Sequence, residues 1–228
     1  MQSFLSFFKH LIIARRGSLL LLLLGVFLPL LIFGDLAEDV WKQGGFAWDV
    51  PILLSIHKTA QPRLDVFASN LTKLGVFWGV IPVAFVTVLV LLIRRRWHKL
   101  AYFITTLLGS GIINRTAKML LHRARPQLWV SPAPEFDYGF PSGHAMASMS
   151  LVVALVILTW YSRWRWSILI TGTLFVLAIA WTRLYLGVHY PSDILAGWMA
   201  SLAWAFGVSL LIKPHRIIKR HSQSLKGH

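Results

Sequence analysis

Cysteine is absent from this sequence of 228 residues, and charged residues are scarce. Without cysteine, the chain forms no disulfide bond and holds no metal through a thiolate, and its redox compartment cannot be inferred. Charged residues make up 14% of the chain, whereas a soluble domain usually carries about 25%. Only eight residues are acidic, against 23 Lys and Arg. This composition argues against an ordinary soluble domain.

Long apolar runs make up most of the sequence, which is 56% hydrophobic. Each run approaches the roughly 20 residues that a helix needs to cross the hydrocarbon core of a bilayer. No internal repeat divides the chain, and no small-residue cleavage site follows the first run as in a signal peptide. We therefore predict one all-α integral-membrane domain over residues 1–228. Its six predicted spans are residues 17–33, 76–93, 100–121, 143–161, 166–183 and 194–212.

The basic residues indicate an orientation. The net charge of +15 would suggest nucleic-acid binding in a soluble protein, but here the Lys and Arg residues lie between apolar runs, so no nucleic-acid partner is expected. With a cytoplasmic N-terminus, 14 of the 23 Lys and Arg residues fall in cytoplasmic segments, and all eight acidic residues fall on the other side or at its boundary. Because short cytoplasmic loops are enriched in Lys and Arg, we expect both termini in the cytoplasm.

Residues 34–75 form a longer segment between the first two predicted spans, on the non-cytoplasmic side. Apolar residues recur there at roughly helical spacing, which favours short amphipathic helices at the membrane surface. The segment is either a cap that packs on the bundle or an element that gates access of the substrate. The apolar residues that carry this pattern are Ile52, Leu53, Ile56, Leu64, Phe67, Leu71 and Leu74.

The first of three polar segments at the non-cytoplasmic boundary contains Lys118 and Arg125-Pro126. Seven residues are about two helical turns, so a helix that continues to Pro126 places both cations on one face. Cations at a helix end also extend to lipid headgroups without any catalytic role. Both interpretations fit this segment taken alone.

The second segment is Pro141-Ser142-Gly143-His144, directly before the fourth predicted span. Gly143 permits close backbone approach, and a helix N-terminus offers unpaired N–H groups to an anion such as phosphate. Alternatively, Ser142 is a helix N-cap and His144 an interfacial histidine.

The third segment contains Arg183, His189 and Asp193, with Pro191 favouring a helix start. Asp193 would then lie in the first turn, where its carboxylate can reach the ring of His189. Such a contact fixes the tautomer of a histidine and raises its basicity, as for an oriented nucleophile or base. Alternatively, Asp193 is a first-turn helix charge and His189 a loop residue.

In the predicted topology, the three segments face the same side and reach one site. Three cations, two histidines and one carboxylate would meet there beside a helix N-terminus. Phosphoryl transfer needs positive groups for the non-bridging oxygens, a nucleophile, and an acid for the leaving oxygen. These segments contain one carboxylate, which is too few for a Mg²⁺ cage.

The order and spacing of the three segments resemble the phosphatidic acid phosphatase type 2 superfamily, whose core is shared with vanadium haloperoxidases and some bacterial acid phosphatases. That signature is Lys, six residues, Arg-Pro; then Pro-Ser-Gly-His; then Ser-Arg, five residues, His, three residues, Asp. The matching residues lie between 118 and 193, and Thr182 replaces the serine of the pattern. Threonine keeps the hydroxyl, so we expect little effect on the chemistry.

This resemblance implies a role for each residue of the signature, and it implies neither a metal nor another cofactor. His189 would attack phosphorus and form a phosphohistidine, oriented by Asp193, and His144 would protonate the leaving lipid oxygen. The phosphate would be held by Lys118, Arg125, Ser142, Gly143 and Arg183.

The resemblance also implies a lipid phosphate or pyrophosphate phosphatase, with undecaprenyl pyrophosphate, phosphatidylglycerol phosphate or phosphatidic acid as candidate substrates. A phosphohistidine could instead pass its phosphate to a second lipid, which would make the protein a phosphotransferase. A lipid transporter on the same scaffold is the alternative outside enzymes. We expect an integral protein of a bacterial inner membrane, with the site on the periplasmic or extracellular side.

Overall fold

The computed structural model describes residues 17–215, and that part of the chain is helical with no β-strand. Most basic residues predicted at the two chain ends, among them Arg15 and Arg216, lie outside this range. The helices are α1 (Gly17–Gln43, with a π-helical turn at Leu23–Phe27), α2 (Asp49–His57), α3 (Pro62–Leu71, followed by a 3₁₀ turn at Thr72–Gly75), α4 (Val80–Ile93), α5 (Trp97–Leu121), α6 (Gly143–Thr159), α7 (Arg165–Tyr185) and α8 (Pro191–Ile212).

The all-helical prediction is confirmed for the described residues, and the two largest shifts of a boundary fall at the end of α1 and the start of α4. Helix α1 continues beyond residue 33 to Gln43, where Gly44 adopts a left-handed conformation with φ 77° and ends it. The predicted outer segment therefore begins at Gly44 instead of residue 34. Helix α4 begins at Val80 instead of residue 76, because Val76 leaves helical geometry at φ −139° and ψ −76°.

Four helical runs among the described residues are long and apolar enough to cross a membrane: Gly17–Gln43, Pro62–Ile93, Arg165–Tyr185 and Pro191–Ile212. Helix α6 has 17 residues, fewer than the roughly 20 of a full span. Helix α5 has 25 residues, but polar groups near its end, including Asn114, Arg115 and Lys118, lower its mean hydropathy. Length and composition thus support four of the six predicted spans.

Helices α6 and α8 form the centre of the bundle. Helix α6 packs against α5, α7 and α8, and α8 also packs against α1. A Cβ at Gly197 would lie 3.1 Å from the backbone oxygen of Ser142 and 3.2 Å from Met146 Cγ, so glycine allows α8 to pack closely on the start of α6. By contrast, α1 and α4 leave large apolar side chains such as Phe85 exposed, as lipid-facing helices do.

Helices α2 and α3 confirm the prediction of short helices in the outer segment. They pack on one end of the bundle, where α3 contacts α7 and α2 contacts both α7 and α8. Tyr185 Oη donates to Asp65 Oδ1 at 2.7 Å and accepts from Gln61 N at 3.2 Å. These contacts fasten α3 to the end of α7 that precedes His189.

Candidate active site

Lys118 and Arg125 reach the candidate site by different routes. Lys118 lies in the last turn of α5 and is buried. The helix ends at Leu121, because His122 adopts a left-handed conformation with φ 45° at its C-cap. Arg125 therefore lies in the loop between α5 and α6 (residues 122–142, the α5–α6 loop). The prediction that one helix continues to Pro126 and presents both cations on one face is wrong, although both cations converge on one site.

The Pro141–His144 segment begins α6, as predicted. Ser142 is the N-cap residue, but its side chain makes no capping bond, and its buried Oγ has no hydrogen-bond partner within residues 17–215. Asn114 Nδ2 donates to the Pro141 carbonyl at 2.9 Å, and a Cβ at Gly143 would lie 3.3 Å from Asn114 Oδ1. The Ser142 hydroxyl is therefore available to an anion, as are the first-turn N–H groups of a helix, which lack partners within the helix.

His189 lies in the short connection between α7 and α8 and is fully buried. Its Nδ1 is 3.3 Å from Asp193 Oδ2, and its Nε2 is 3.0 Å from Arg125 Nη1. A guanidinium only donates hydrogen bonds, so Nε2 accepts and Nδ1 carries the proton toward Asp193. This tautomer leaves the Nε2 lone pair on the side of the cations.

Burial and positive neighbours keep His189 neutral. Burial lowers the pKa of His189 first, and the charges of Arg125 and Arg183 lower it further, so that it lies well below its ordinary value. A neutral imidazole is the form that can attack phosphorus.

Asp193 lies in the first turn of α8 and serves both roles considered from the sequence. Its Oδ2 accepts from the Tyr190 backbone N–H at 2.8 Å, within a capping box that begins the helix. The same oxygen faces His189 Nδ1. One carboxylate thus both stabilises the start of α8 and orients His189.

Arg183 is the most deeply buried of the predicted phosphate-binding cations, with 1% of its side chain exposed. Its Nη1 donates to Thr72 Oγ1 at 2.8 Å, and its Nη2 forms an ion pair with Glu135 Oε1. Its Nε is buried without a partner among the described residues. Thr72 belongs to the outer segment, so this segment contributes to the wall of the site.

Glu135, from the α5–α6 loop, lies between the predicted phosphate ligands. It pairs with Arg183 and, at 2.7 Å, with Arg125, and its Oε1 is 3.9 Å from His144 Nδ1. Burial alone would raise the pKa of Glu135, but the neighbouring cations, Arg183 first and then Arg125, lower it to about 2. Glu135 is therefore an anion at neutral pH.

Asp137 makes the corresponding contacts with the other cations. Lys118 Nζ lies 2.6 Å from Asp137 Oδ2, and Arg125 pairs with Asp137 Oδ1. Burial would raise the pKa of Asp137, whereas its bonds to Lys118 and Arg125 lower it to about 2. Each cation predicted to bind phosphate thus already faces a carboxylate of the α5–α6 loop.

The sequence did not single out four residues that surround this site: Asp49, Arg123, Glu135 and Asp137. Arg123 and Asp49 form a buried ion pair at 2.7 Å, and Arg123 also pairs with Asp193. A signal was present in the composition, because acidic residues are few and four of the eight gather here. Within residues 17–215, no group of three or more His, Asp and Glu side chains is arranged to hold a metal ion.

The apolar helices and this cation-lined site define a helical membrane protein with a site suited to phosphate. A profile of the PAP2 superfamily matches residues 99–217, about half of the chain. The chain therefore belongs to the PAP2 superfamily, as the three segments predicted.

The curated relatives that the chain matches are named phosphatases. An undecaprenyl-diphosphatase of Sulfolobus acidocaldarius is 29% identical over 162 residues, which cover 68% of this chain and 74% of the relative. A lipid A 4'-phosphatase of Bacteroides thetaiotaomicron is 32% identical over 165 residues, or 65% and 70% of the two chains. A phosphatidylglycerophosphatase B of Bacillus subtilis is 26% identical over 153 residues, or 64% and 74%. The predicted enzyme class, phosphatase, is confirmed.

Two solved structures share the fold. A transmembrane PAP2-type phosphatidylglycerolphosphate phosphatase from Bacillus subtilis superposes with a TM-score of 0.74 at 21% identity, over 84% of this chain and 97% of the other. LpxE of Aquifex aeolicus superposes with a TM-score of 0.60 at 22% identity, over 72% and 95%. At this identity the likeness is one of fold.

Proposed function

We propose that this protein removes phosphate from a membrane lipid phosphate or diphosphate through a phosphohistidine formed on His189. The observation that carries the proposal is the geometry of that side chain. Nδ1 is held by Asp193, and the Nε2 lone pair is directed at Arg125 among the buried cations. A neutral, oriented imidazole beside positive groups is what nucleophilic attack on a phosphate needs.

The first half of the reaction transfers phosphate to the enzyme. The lipid phosphate replaces Glu135 and Asp137 as the partner of the cations, and Arg125 donates to a phosphate oxygen instead of to Nε2. Nε2 then attacks the terminal phosphorus while its bond to the leaving oxygen breaks; that oxygen belongs to the lipid alcohol in a monophosphate and to the remaining lipid phosphate in a diphosphate. His144 donates a proton to that oxygen, and the Asp193 carboxylate stabilises the positive charge that develops on the His189 ring.

The second half returns the enzyme to its starting state. Water attacks phosphorus, the P–N bond breaks, and His144 accepts the proton that water loses. The unpaired Oγ of Ser142 and Nε of Arg183 supply further donors to the phosphate oxygens throughout. The positive charges of Lys118, Arg125 and Arg183 carry the electrostatic stabilisation that a metal supplies in other phosphatases.

We propose a prenyl diphosphate or a glycerophospholipid phosphate as the substrate. The names of the relatives, which include an undecaprenyl-diphosphatase and a phosphatidylglycerophosphatase, support these two classes. The exposed apolar surfaces of α1 and α4 support a substrate that arrives through the bilayer.

The proposed topology has six spans in one domain, with the site on the non-cytoplasmic face of a bacterial inner membrane. In this proposal α5 and α6 also cross the membrane, in addition to the four runs identified by length and composition. Connectivity supports this arrangement, because the basic turns at residues 94–99 and 163–165 lie at the helix ends opposite the site. The positive-inside rule then places those turns in the cytoplasm.

Purified protein assayed with undecaprenyl diphosphate, phosphatidylglycerol phosphate and phosphatidic acid tests the proposal. We expect phosphate release to fall at least about 10³-fold in His189→Ala, because no other nucleophile occupies its position. His98→Ala is the matched control, since His98 is exposed at the opposite end of α5. Steady-state turnover near wild type in His189→Ala would contradict the assignment.

A further inference from the structure

A buried ion pair supports Asp193 on the side opposite His189. Arg123 and Asp49 expose only 4% and 2% of their side chains, and Asp193 exposes none. Arg123 comes from the α5–α6 loop and Asp49 begins α2, so the pair joins the outer segment to the start of α8. Buried charges need such pairing, because an isolated buried charge is costly.

The guanidinium of Arg123 is held at each of its nitrogen atoms. Nη1 pairs with Asp193 Oδ1 and donates to Ser192 Oγ at 2.7 Å. Nη2 lies 2.7 Å from Asp49 Oδ2, and Nε donates to the Gly44 carbonyl at 3.2 Å. A planar guanidinium with several fixed bonds has one orientation.

This arrangement fixes the Asp193 carboxylate. Arg123 takes Oδ1, which leaves Oδ2 to the Tyr190 N–H at 2.8 Å and to His189 Nδ1 at 3.3 Å. Rotation of the carboxylate would break the contact with Arg123. The bond that sets the tautomer of His189 therefore depends on a residue that does not touch His189.

Asp49 sets the net charge of the group that it forms with Arg123 and Asp193. It accepts from Ser192 N at 3.0 Å and from Ser192 Oγ at 2.6 Å, and it shares Arg123 with Asp193. Two carboxylates and one guanidinium leave one net negative charge beside His189. If Asp49 were neutral, Arg123 would cancel the charge of Asp193, which the phosphorylated, cationic ring needs.

We propose that Arg123 and Asp49 are positioning residues, which set the orientation and net charge of Asp193 and thereby make the start of α2 part of the catalytic apparatus. This inference rests on the proposed function, in which His189 is the nucleophile. Within residues 17–215, no side-chain hydrogen bond or ion pair joins either residue to the phosphate-binding cations. We therefore expect their effect on phosphoryl transfer rather than on phosphate binding.

The variants Arg123→Ala, Arg123→Lys and Asp49→Asn, assayed for kcat and KM on one lipid phosphate, test the proposal. We expect kcat to fall about 10–100-fold in each, the size of effect known for residues that orient the ligands of a metal, with KM changed less than about threefold. Lys42→Ala is the matched control, because it removes the exposed Lys42–Glu38 pair of α1. A KM rise with unchanged kcat would overturn the inference.

A double-mutant cycle separates positioning from a general structural role. If Arg123 acts through Asp193, Arg123→Ala should change kcat less than about threefold in an Asp193→Asn background. An equal loss in both backgrounds would overturn the inference. If Arg123→Ala does not yield folded protein, the same comparison is made with Arg123→Lys and with Asp49→Asn.

The proposed function can be refuted independently of this inference. Activity near wild type in His189→Ala would refute the nucleophile, whatever Arg123 does. An inactive His189→Ala together with fully active Arg123 and Asp49 variants would refute only the positioning role.

Discussion

At the scale of single residues, the two site histidines differ in how they are held. His189 is buried between Asp193 and Arg125. His144 is partly exposed, and its Nδ1 lies 3.9 Å from Glu135 Oε1, which is too far for a hydrogen bond. A nucleophile needs a fixed position, whereas a general acid must reach a leaving oxygen and later a water molecule. The difference fits the roles proposed for the two side chains.

His144→Ala should slow the hydrolysis of lipid phosphates more than that of activated aryl phosphates. A basic leaving oxygen needs a proton, and general acid catalysis is commonly worth about 10²–10⁴-fold. The measurement is kcat/KM for a lipid phosphate and for p-nitrophenyl phosphate, in wild type and variant. Equal losses on the two substrates would show that His144 does not act as the acid.

Glu135 should make the stability of the protein depend on pH. Its pKa falls from an ordinary value of 4.5 to about 2, so its ionised form favours the folded state. That contribution is complete above pH 4.5 and is lost as the pH falls toward 2. Glu135→Gln should therefore lower the Tm at neutral pH and weaken the dependence of Tm on pH between about 4.5 and 2.

The matched control for this measurement is Glu38→Gln, because Glu38 pairs with Lys42 on the exposed surface of α1. Exposed pairs contribute little to stability, so its Tm profile should follow that of wild type. A Glu135→Gln profile that also follows wild type would exclude the ion pairs of Glu135 as a source of stability.

At the scale of helices, the crossing of α8 over α6 positions the second and third segments against each other. The Ser142 N–H donates to the Asp193 carbonyl at 3.1 Å. Gly197 permits this approach, because a Cβ there would lie 3.1 Å from the Ser142 carbonyl oxygen. The position of Ser142 relative to His189 therefore depends on one glycine of α8.

Gly197→Val should destabilise the protein by about 1–3 kcal/mol, because it overpacks this crossing. Gly207→Val is the control on the same helix, since a Cβ at Gly207 meets nothing within 4 Å. The measurements are Tm in detergent and kcat for both variants. A Gly197→Val protein as stable and active as the control would show that the close crossing is not required.

At the scale of the whole molecule, the proposed sidedness follows from charge. The turn at residues 94–99 and the site lie at opposite ends of α5. If the site faced the cytoplasm, the basic turns would face outward, against the usual bias of short loops. Under this proposal we expect a lipid substrate whose phosphate is displayed on the outer leaflet.

Cysteine labelling tests this orientation without interference, because the chain has no native cysteine. Val130→Cys lies in the α5–α6 loop, where Val130 is 95% exposed. His98→Cys lies at the other end of α5, where His98 is exposed near the start of the helix. A membrane-impermeant maleimide applied to intact spheroplasts should label position 130 and spare position 98. Labelling of position 98 alone would show that the topology is the reverse of the one proposed.

Much of the fold and of the site was predictable from local sequence. The apolar runs lie where helices form, because a span must supply its own backbone hydrogen bonds and an apolar surface. Roles for Lys118, Ser142, His144 and His189 could be proposed from the sequence because each belongs to a short segment with a helix boundary. The structure brings these segments together.

Only the tertiary structure decided which distant charges meet. Arg123 and Asp49 are 74 residues apart in the sequence, and Glu135 meets Arg183 48 residues away. Periodicity and spacing describe neighbours along a helix, whereas a pair between a loop and another helix depends on how the elements pack. For that reason the sequence determined the helices, the family signature and its histidines. The packing of the elements alone brought Arg123 and Asp49 to Asp193, and Glu135 and Asp137 to the cations.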